Sequence, residues 1–114
     1  MPAVSSPALA WLVLLAAGLL EIVWSLAMKA SEGFTRGWAS ALTAVAICLS
    51  VWLLSVAVKV LPIGTAYAVW TGIGGAGAAL FGILLFHEPA GAARIACIAL
   101  IVIGVIGLKA LGTS

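Results

Sequence analysis

Hydrophobic and polar positions divide the chain into four long apolar segments separated by short polar connections. The apolar segments cover residues 8–28, 38–58, 66–86 and 92–108. Each has roughly the 17–25 residues that an α-helix needs to cross a bilayer. Backbone polar groups in lipid must be paired within the segment, and the alternating polarity of a membrane β-barrel strand is missing. The pattern predicts an all-α chain with four transmembrane helices, in a single membrane domain over residues 1–114.

The composition narrows the possible classes of protein. Of the 114 residues, 66% are apolar and 7% are charged, whereas a soluble domain is about half apolar and about a quarter charged. Four spans use about 80 residues, which leaves no room for a soluble domain. The net charge of +2 is too small and too dispersed for a nucleic-acid partner. We predict a multi-pass membrane protein that is not an enzyme, with no catalytic residue, metal site or cofactor.

The cysteines and three of the tryptophans have ordinary interpretations. Cys48 and Cys97 lie inside apolar segments, where we expect buried thiols rather than a disulfide. Trp11 and Trp38 lie near helix ends and are interpreted as interface anchors. Trp52 lies deeper, without a notable polar neighbour, and is assigned to packing or lipid contact.

The basic residues are almost evenly divided between the two sides of the predicted membrane domain. One side has Lys29, Arg36 and Arg94, and the other has Lys59 and Lys109. Orientation in a membrane follows the Lys/Arg bias between loops, and three against two is almost no bias. Either a weak difference selects one orientation, or the chain inserts both ways round. Dual insertion would allow an antiparallel homodimer, with the inverted symmetry that many transporters build from internal repeats.

Glu21 is the most informative residue, because it lies about 4.5 Å from the midpoint of the first predicted span. A charge at that depth costs on the order of 2.5–3.5 kcal/mol. No side chain three or four residues away along the helix is basic, and the basic residues all lie near helix ends. The carboxyl is therefore protonated, hydrated or paired with a cation from outside. We predict a site that exchanges protons for a cation; the alternative is a protonated, hydrogen-bonded core residue.

The helical neighbours of Glu21 support a functional site. Gly18 precedes it by about one turn and permits the close approach of another helix. Trp24 follows by about one turn, where its indole N–H can donate to the carboxylate and its ring can face a cation. The alternative for Trp24 is simple packing.

The third predicted helix has a polar and aromatic stripe at helical spacing. The stripe consists of Tyr67, Trp70, Thr71 and Gly74. Its hydroxyl and indole groups can orient carboxylates from within, or the aromatic residues can form an interfacial band. The glycines from Gly72 to Gly77 permit bending or very close packing.

Ser50 is the remaining polar candidate, a hydroxyl near the centre of the second span. A lone serine in a membrane helix more often bonds back to its own helix.

Three stretches of the chain resemble the small multidrug resistance family of proton-coupled exporters. The first is Gly18-Leu19-Leu20-Glu21-Ile22-Val23-Trp24, the second runs from Lys29 to Arg36, and the third runs from Leu61 to Gly74, including Ala66-Tyr67-Ala68-Val69-Trp70-Thr71-Gly72. The closing run from Ala99 to Lys109 also fits. Trp24 after the glutamate is similar to the guanidinium-exporter subtype, since the multidrug subtype usually has a small residue there.

The resemblance implies an antiparallel homodimer in the bacterial inner membrane that exports guanidinium against inward proton flow. The first three helices would line the path, and the fourth would form the dimer contact. Glu21 would bind substrate and protons, supported by Trp24, Ser50, Tyr67 and Trp70. The chain departs from the family pattern around Ala39, where the family often has a proline early in the second helix and this chain reads Trp38-Ala39-Ser40, and at Cys97, where the family often has glycine.

Three alternatives share parts of this pattern. A quaternary ammonium exporter would share the fold and Glu21, but its substrate has no N–H donors and would depend more on ring faces. A passive proton or cation channel would show flux without coupling. In a non-transporting membrane subunit, Glu21 would be only a core residue.

Overall fold

The chain folds into four α-helices. The computed structural model describes residues 6–111. The helices are α1 (Pro7–Ala30), α2 (Gly37–Ala57), α3 (Ile63–Phe86) and α4 (Ala92–Leu111). All four are long and apolar enough to cross a membrane. This confirms the prediction of an all-α chain with four spanning helices.

Local chemistry determines where α1 begins and ends. Pro7 occupies the first turn, where its missing N–H costs nothing, and the Ser6 hydroxyl accepts a hydrogen bond from the Leu9 amide at 3.1 Å. After α1, residues 32–34 all have positive φ angles, between 49° and 74°. This left-handed turn reverses the chain toward α2.

Helix α3 begins three residues before the predicted start at Ala66. Pro62 is extended, with ψ at 140°, and its carbonyl accepts the Ala66 amide at 2.9 Å. Its fixed φ therefore starts the helix directly after the preceding turn. The glycine-rich stretch does not interrupt α3, which ends where His87 adopts a left-handed φ of 55°.

The four helices form a flat layer rather than a closed bundle. Helix α1 packs against both α2 and α3, α4 packs on α3, and α2 and α3 make little contact with each other. The molecule measures 40 × 35 × 16 Å, and a helix with its side chains is about 10–12 Å across. A layer this thin cannot enclose a solute by itself.

The main hydrophobic core lies toward one end of this layer. It joins the first half of α1, the end of α2 and the start of α3, and includes Leu14, Leu61 and Val69. Trp11 belongs to this core, with 7% of its surface exposed, and the Lys109 ammonium lies 5.1 Å from its ring centre. The interpretation of Trp11 as an interface anchor is therefore corrected. Trp38 is exposed.

Much of the apolar surface of the protomer faces outward. Within the described part of α4, only Ile98 is buried. Cys48 and Cys97 are both free and both exposed, so the expectation of buried thiols was wrong. An apolar segment in a membrane protein does not reveal which of its faces touches protein and which touches lipid. Ala39 is fully buried, in a helix that begins without proline at Gly37.

Candidate functional site

Glu21 lies in the groove between α1 and α3, directly against Gly74. The glycine is buried, and a Cβ atom at this position would overlap the Glu21 carboxyl group. At Gly18, about one turn earlier, a Cβ would lie 2.8 Å from Ile73 Cγ2. Because glycine has no side chain, α1 and α3 approach closely enough at Gly18 and Gly74 to hold the carboxyl between them.

One oxygen of the Glu21 carboxyl has no protein partner in the described part of the chain. This atom, Oε1, is buried and has no hydrogen-bond partner among residues 6–111. The ion pairs found in that range join Lys29 to Glu88 and Arg36 to Glu32. A buried polar group without a partner carries a free-energy penalty of about 1–3 kcal/mol. One oxygen of the Glu21 carboxyl is therefore left without a hydrogen bond or ion pair from the described residues.

Trp24 has a hydrogen-bond donor that is also without a partner in the described part of the chain. Its indole Nε1 atom is also buried without an acceptor in the described part of the chain. The expected hydrogen bond from Trp24 to Glu21 is therefore not formed within the protomer. Within the described residues, a buried donor and a buried acceptor without partners therefore lie about one turn apart on α1.

Ser50 connects three helices. Its buried hydroxyl donates to the Ala17 carbonyl of α1 at 2.7 Å and accepts from the Trp70 indole of α3 at 2.9 Å. The interpretation that Ser50 bonds back to its own helix was wrong. Since Ala17 precedes Glu21 by about one turn, the network holds the α1 backbone immediately beside the carboxyl.

The predicted stripe on α3 divides between two environments. Trp70 and Gly74 are buried, whereas Tyr67 is 53% exposed and its ring centre lies 5.5 Å from that of Trp70. The Thr71 hydroxyl donates to the Tyr67 carbonyl of its own helix at 2.9 Å, so it does not orient the carboxylate. Gly72 faces α4, where a Cβ would lie 2.6 Å from Val105 Cγ2.

Sequence reasoning missed the contribution of Ala17, because a backbone acceptor has no side-chain signature. It also missed the polar end of the α1–α3 groove, where Ser25, Lys29 and Glu88 line one cavity. The spacing of Glu21, Ser25 and Lys29 at four-residue intervals was a usable signal, since such residues share one helix face.

Comparison with known proteins identifies the family. A family model described as Small Multidrug Resistance protein matches residues 9–101. The chain belongs to the small multidrug resistance family. This confirms the resemblance found in the sequence, and the matched region of this family member contains Glu21, Trp24, Ser50, Tyr67 and Trp70.

Relatives within the family are described as guanidinium exporters. Those of Citrobacter freundii and Salmonella typhimurium are 54% identical to this chain over 101 residues, which cover 89% of this chain and 96% of each relative. The guanidinium exporter of Yersinia pestis is also 54% identical over 101 residues, covering 89% of this chain and 97% of that relative.

Proposed function

We propose that this protein exports guanidinium and small guanidinyl cations across the bacterial inner membrane in exchange for protons. The observation that carries the proposal is the buried carboxyl oxygen of Glu21, which has no partner within the described residues. The guanidinium exporters that are 54% identical to it over 101 residues support the choice of substrate. The proposed process is transport without covalent chemistry, so it requires no cofactor.

The shape of guanidinium suits a carboxylate site. The ion is planar and permanently charged, and it offers parallel N–H pairs to two carboxylate oxygens. A proton and a guanidinium ion compete for the same oxygens of Glu21. Mutual exclusion at one carboxyl, combined with a gate that moves only when the site is occupied, is sufficient for antiport.

The proposal includes an antiparallel homodimer. Two observations support it: the helices form a thin layer, and the buried Trp24 indole has no acceptor among residues 6–111. A second, inverted copy would cover the groove and bring a second Glu21 to the same site. In each single-domain protomer, Ser50 and Trp70 would hold α1 in position, with Tyr67 beside the Trp70 ring.

The decisive experiment measures transport by the purified protein in liposomes under a proton gradient. We expect guanidinium-driven proton movement in the native protein and none in Glu21→Gln, because the amide keeps the shape but cannot ionise. Glu32→Gln is the matched control: Glu32 is an exposed carboxylate paired with Arg36 at 2.7 Å, and its removal is expected to leave transport unchanged.

Three outcomes would contradict the proposal and favour the alternatives. Tetraethylammonium outcompeting guanidinium would favour a quaternary ammonium exporter. Guanidinium or proton flux without coupling would favour a channel. Near-native transport by Glu21→Gln would remove the carboxyl from the mechanism.

The dimer arrangement has a separate test in membrane orientation. We expect both orientations in similar amounts, because the basic residues are divided three against two. Reactive cysteines placed in the 31–36 connection, in a background without Cys48 and Cys97, are expected to be labelled from both sides of the membrane. Two lysines added to that connection should impose one orientation and abolish homodimer transport. Labelling from one side only, in the protein without added lysines, would exclude dual insertion.

A further inference from the structure

We propose a second, outer cation site at the end of the α1–α3 groove, formed by the Glu88 carboxylate, the Phe86 ring and the Ser25 hydroxyl. It would hold a guanidinium ion on its way to or from Glu21. The choice of ligand rests on the proposed function, whereas the site itself rests on the contacts described below.

The outer site lies in the same groove as Glu21. On α1, Glu21, Ser25 and Lys29 follow one another at four-residue intervals, and Lys29 lies about 12 Å from Glu21 along the helix. A cavity of about 260 Å³ opens between Ser25 and Lys29 on one side and the last turns of α3 on the other. Its lining includes Ser25, Lys29, Gly82, Phe86 and Glu88.

The backbone after α3 directs Glu88 back over this cavity. His87 adopts a left-handed φ of 55°, and the Glu88 amide donates to the Gly82 carbonyl at 3.4 Å. The carboxylate then lies over Gly82, where a Cβ would approach Glu88 Oε1 to 2.5 Å. Gly82 therefore makes room for a carboxylate at the mouth of the groove, just as Gly74 makes room for Glu21 at its centre.

A cation of the protein itself already lies against these groups. The Lys29 ammonium is 3.6 Å from Glu88 Oε2 and 5.4 Å from the centre of the Phe86 ring. The carboxylate and the ring thus form a cation-binding pair. Because both charged side chains are substantially exposed, at 57% and 38%, the ion pair is weak. A free cation can displace the ammonium, which stays tethered nearby.

Guanidinium fits this pair better than the ammonium does. Its planar fork can donate to both oxygens of Glu88 while its face stacks on Phe86. The Ser25 hydroxyl gives its proton to the Ile22 carbonyl at 3.0 Å, so its oxygen remains able to accept an N–H from the ligand. A site for an ion in transit must attract it and also release it, and competition from Lys29 provides the release.

Guanidinium binding can be measured at this site after the central carboxyl has been removed. The protein has three phenylalanines, so ¹⁵N-phenylalanine labelling resolves Phe86 from Phe34 and Phe81. In Glu21→Gln, reconstituted in bicelles, we expect guanidinium to shift the Phe86 amide signal with saturation. The signal of Phe81, which is exposed on α3, should stay in place and reports that each variant is folded.

Two further substitutions identify the groups involved. Adding Glu88→Gln should weaken the Phe86 response to guanidinium by on the order of tenfold, through loss of the charged acceptor. Adding Lys29→Met instead should strengthen it by about two- to fivefold, through loss of the competing ammonium. Tetraethylammonium, which has no N–H groups, should bind more weakly than guanidinium in every variant.

The results separate this site from the proposed function. If Phe86 does not respond in Glu21→Gln, or responds equally with and without Glu88, the outer site is wrong even when native transport is normal. If the Phe86 response follows Glu88 and Lys29 as expected but the native protein does not exchange guanidinium for protons, the outer site stands and the proposed function fails.

Discussion

Two carboxylates lie in the α1–α3 groove, and each lies over a glycine of α3. Glu21 lies over Gly74 near the middle of α1, and Glu88 lies over Gly82 at one end of the groove. The outer carboxylate has the Lys29 ammonium beside it, whereas the inner one has an oxygen without any partner within residues 6–111. In both places a glycine of α3 makes room for a carboxylate. The two positions differ in that only the outer carboxylate has a basic side chain beside it.

The difference indicates how each carboxylate is used. Under the proposed function, the inner carboxyl exchanges ligands that come from outside, because none of the residues 6–111 pairs with its buried oxygen. An exposed carboxylate with a tethered ammonium is already neutralised and binds a further cation only by displacement. We therefore expect the largest functional losses from changes at the centre of the groove and smaller ones toward its end.

Among changes to the residues that surround the two carboxylates, the largest expected effect comes from Gly74→Ala, whose methyl group would occupy the position of the Glu21 carboxyl. Overpacking of this kind costs about 1–3 kcal/mol. We expect guanidinium transport in liposomes to fall by on the order of tenfold or more. Gly75→Ala is the matched control, since a Cβ there meets nothing within 4 Å. Equal losses in both variants would show that helix flexibility, rather than space for the carboxyl, is needed.

A smaller effect is expected from Ser50→Ala, which removes the bond to Ala17 and leaves the buried Trp70 indole unpaired. Guanidinium binding should weaken by about 0.5–1.5 kcal/mol, and tetraethylammonium binding should change less. Titration calorimetry with both cations measures the difference. Ser55→Ala is the control, because its exposed hydroxyl bonds only within α2. The same loss for both cations would assign Ser50 to packing alone.

The smallest effect is expected from Gly82→Ala, which moves Glu88 rather than Glu21. The Glu88 side chain is partly exposed and can shift away from the new methyl group. We expect guanidinium transport at low substrate concentration to fall by about two- to fivefold, with little change at saturation. Gly91→Ala, where a Cβ meets nothing within 4 Å, should have no effect. A loss as large as that of Gly74→Ala would remove the proposed distinction between centre and mouth.

Much of the site could be predicted from the sequence, because its central residue is an acidic residue within an apolar membrane span. Glu21 is conspicuous in an apolar span, and its helical spacing to Gly18 follows from the geometry of one helix. The interactions of Ser50 and Trp24 could not be predicted from the sequence. Their partners, or the lack of them, depend on how α1, α2 and α3 approach one another.

The outward-facing apolar residues are a second feature that could not be predicted from the sequence. Cys48 and Cys97 lie in segments as apolar as the one that contains Leu14, yet both cysteines are exposed and Leu14 is fully buried. In a soluble protein the polar face of a helix marks the solvent side. In a membrane helix the lipid side is also apolar, so hydrophobic periodicity does not separate lipid contacts from protein contacts.

The four helices, and the carboxyl that interrupts the first of them, could be predicted from the amino-acid sequence. Both follow from local physics, since a long apolar segment in lipid must pair its own backbone and an isolated acidic residue within it is costly. The tertiary structure decided that the helices form a thin layer, that Ser50 joins three of them, and that Glu88 folds back over the same groove as Glu21. These features depend on which glycine faces which side chain across the α1–α3 contact, and that pairing is a property of two helices together.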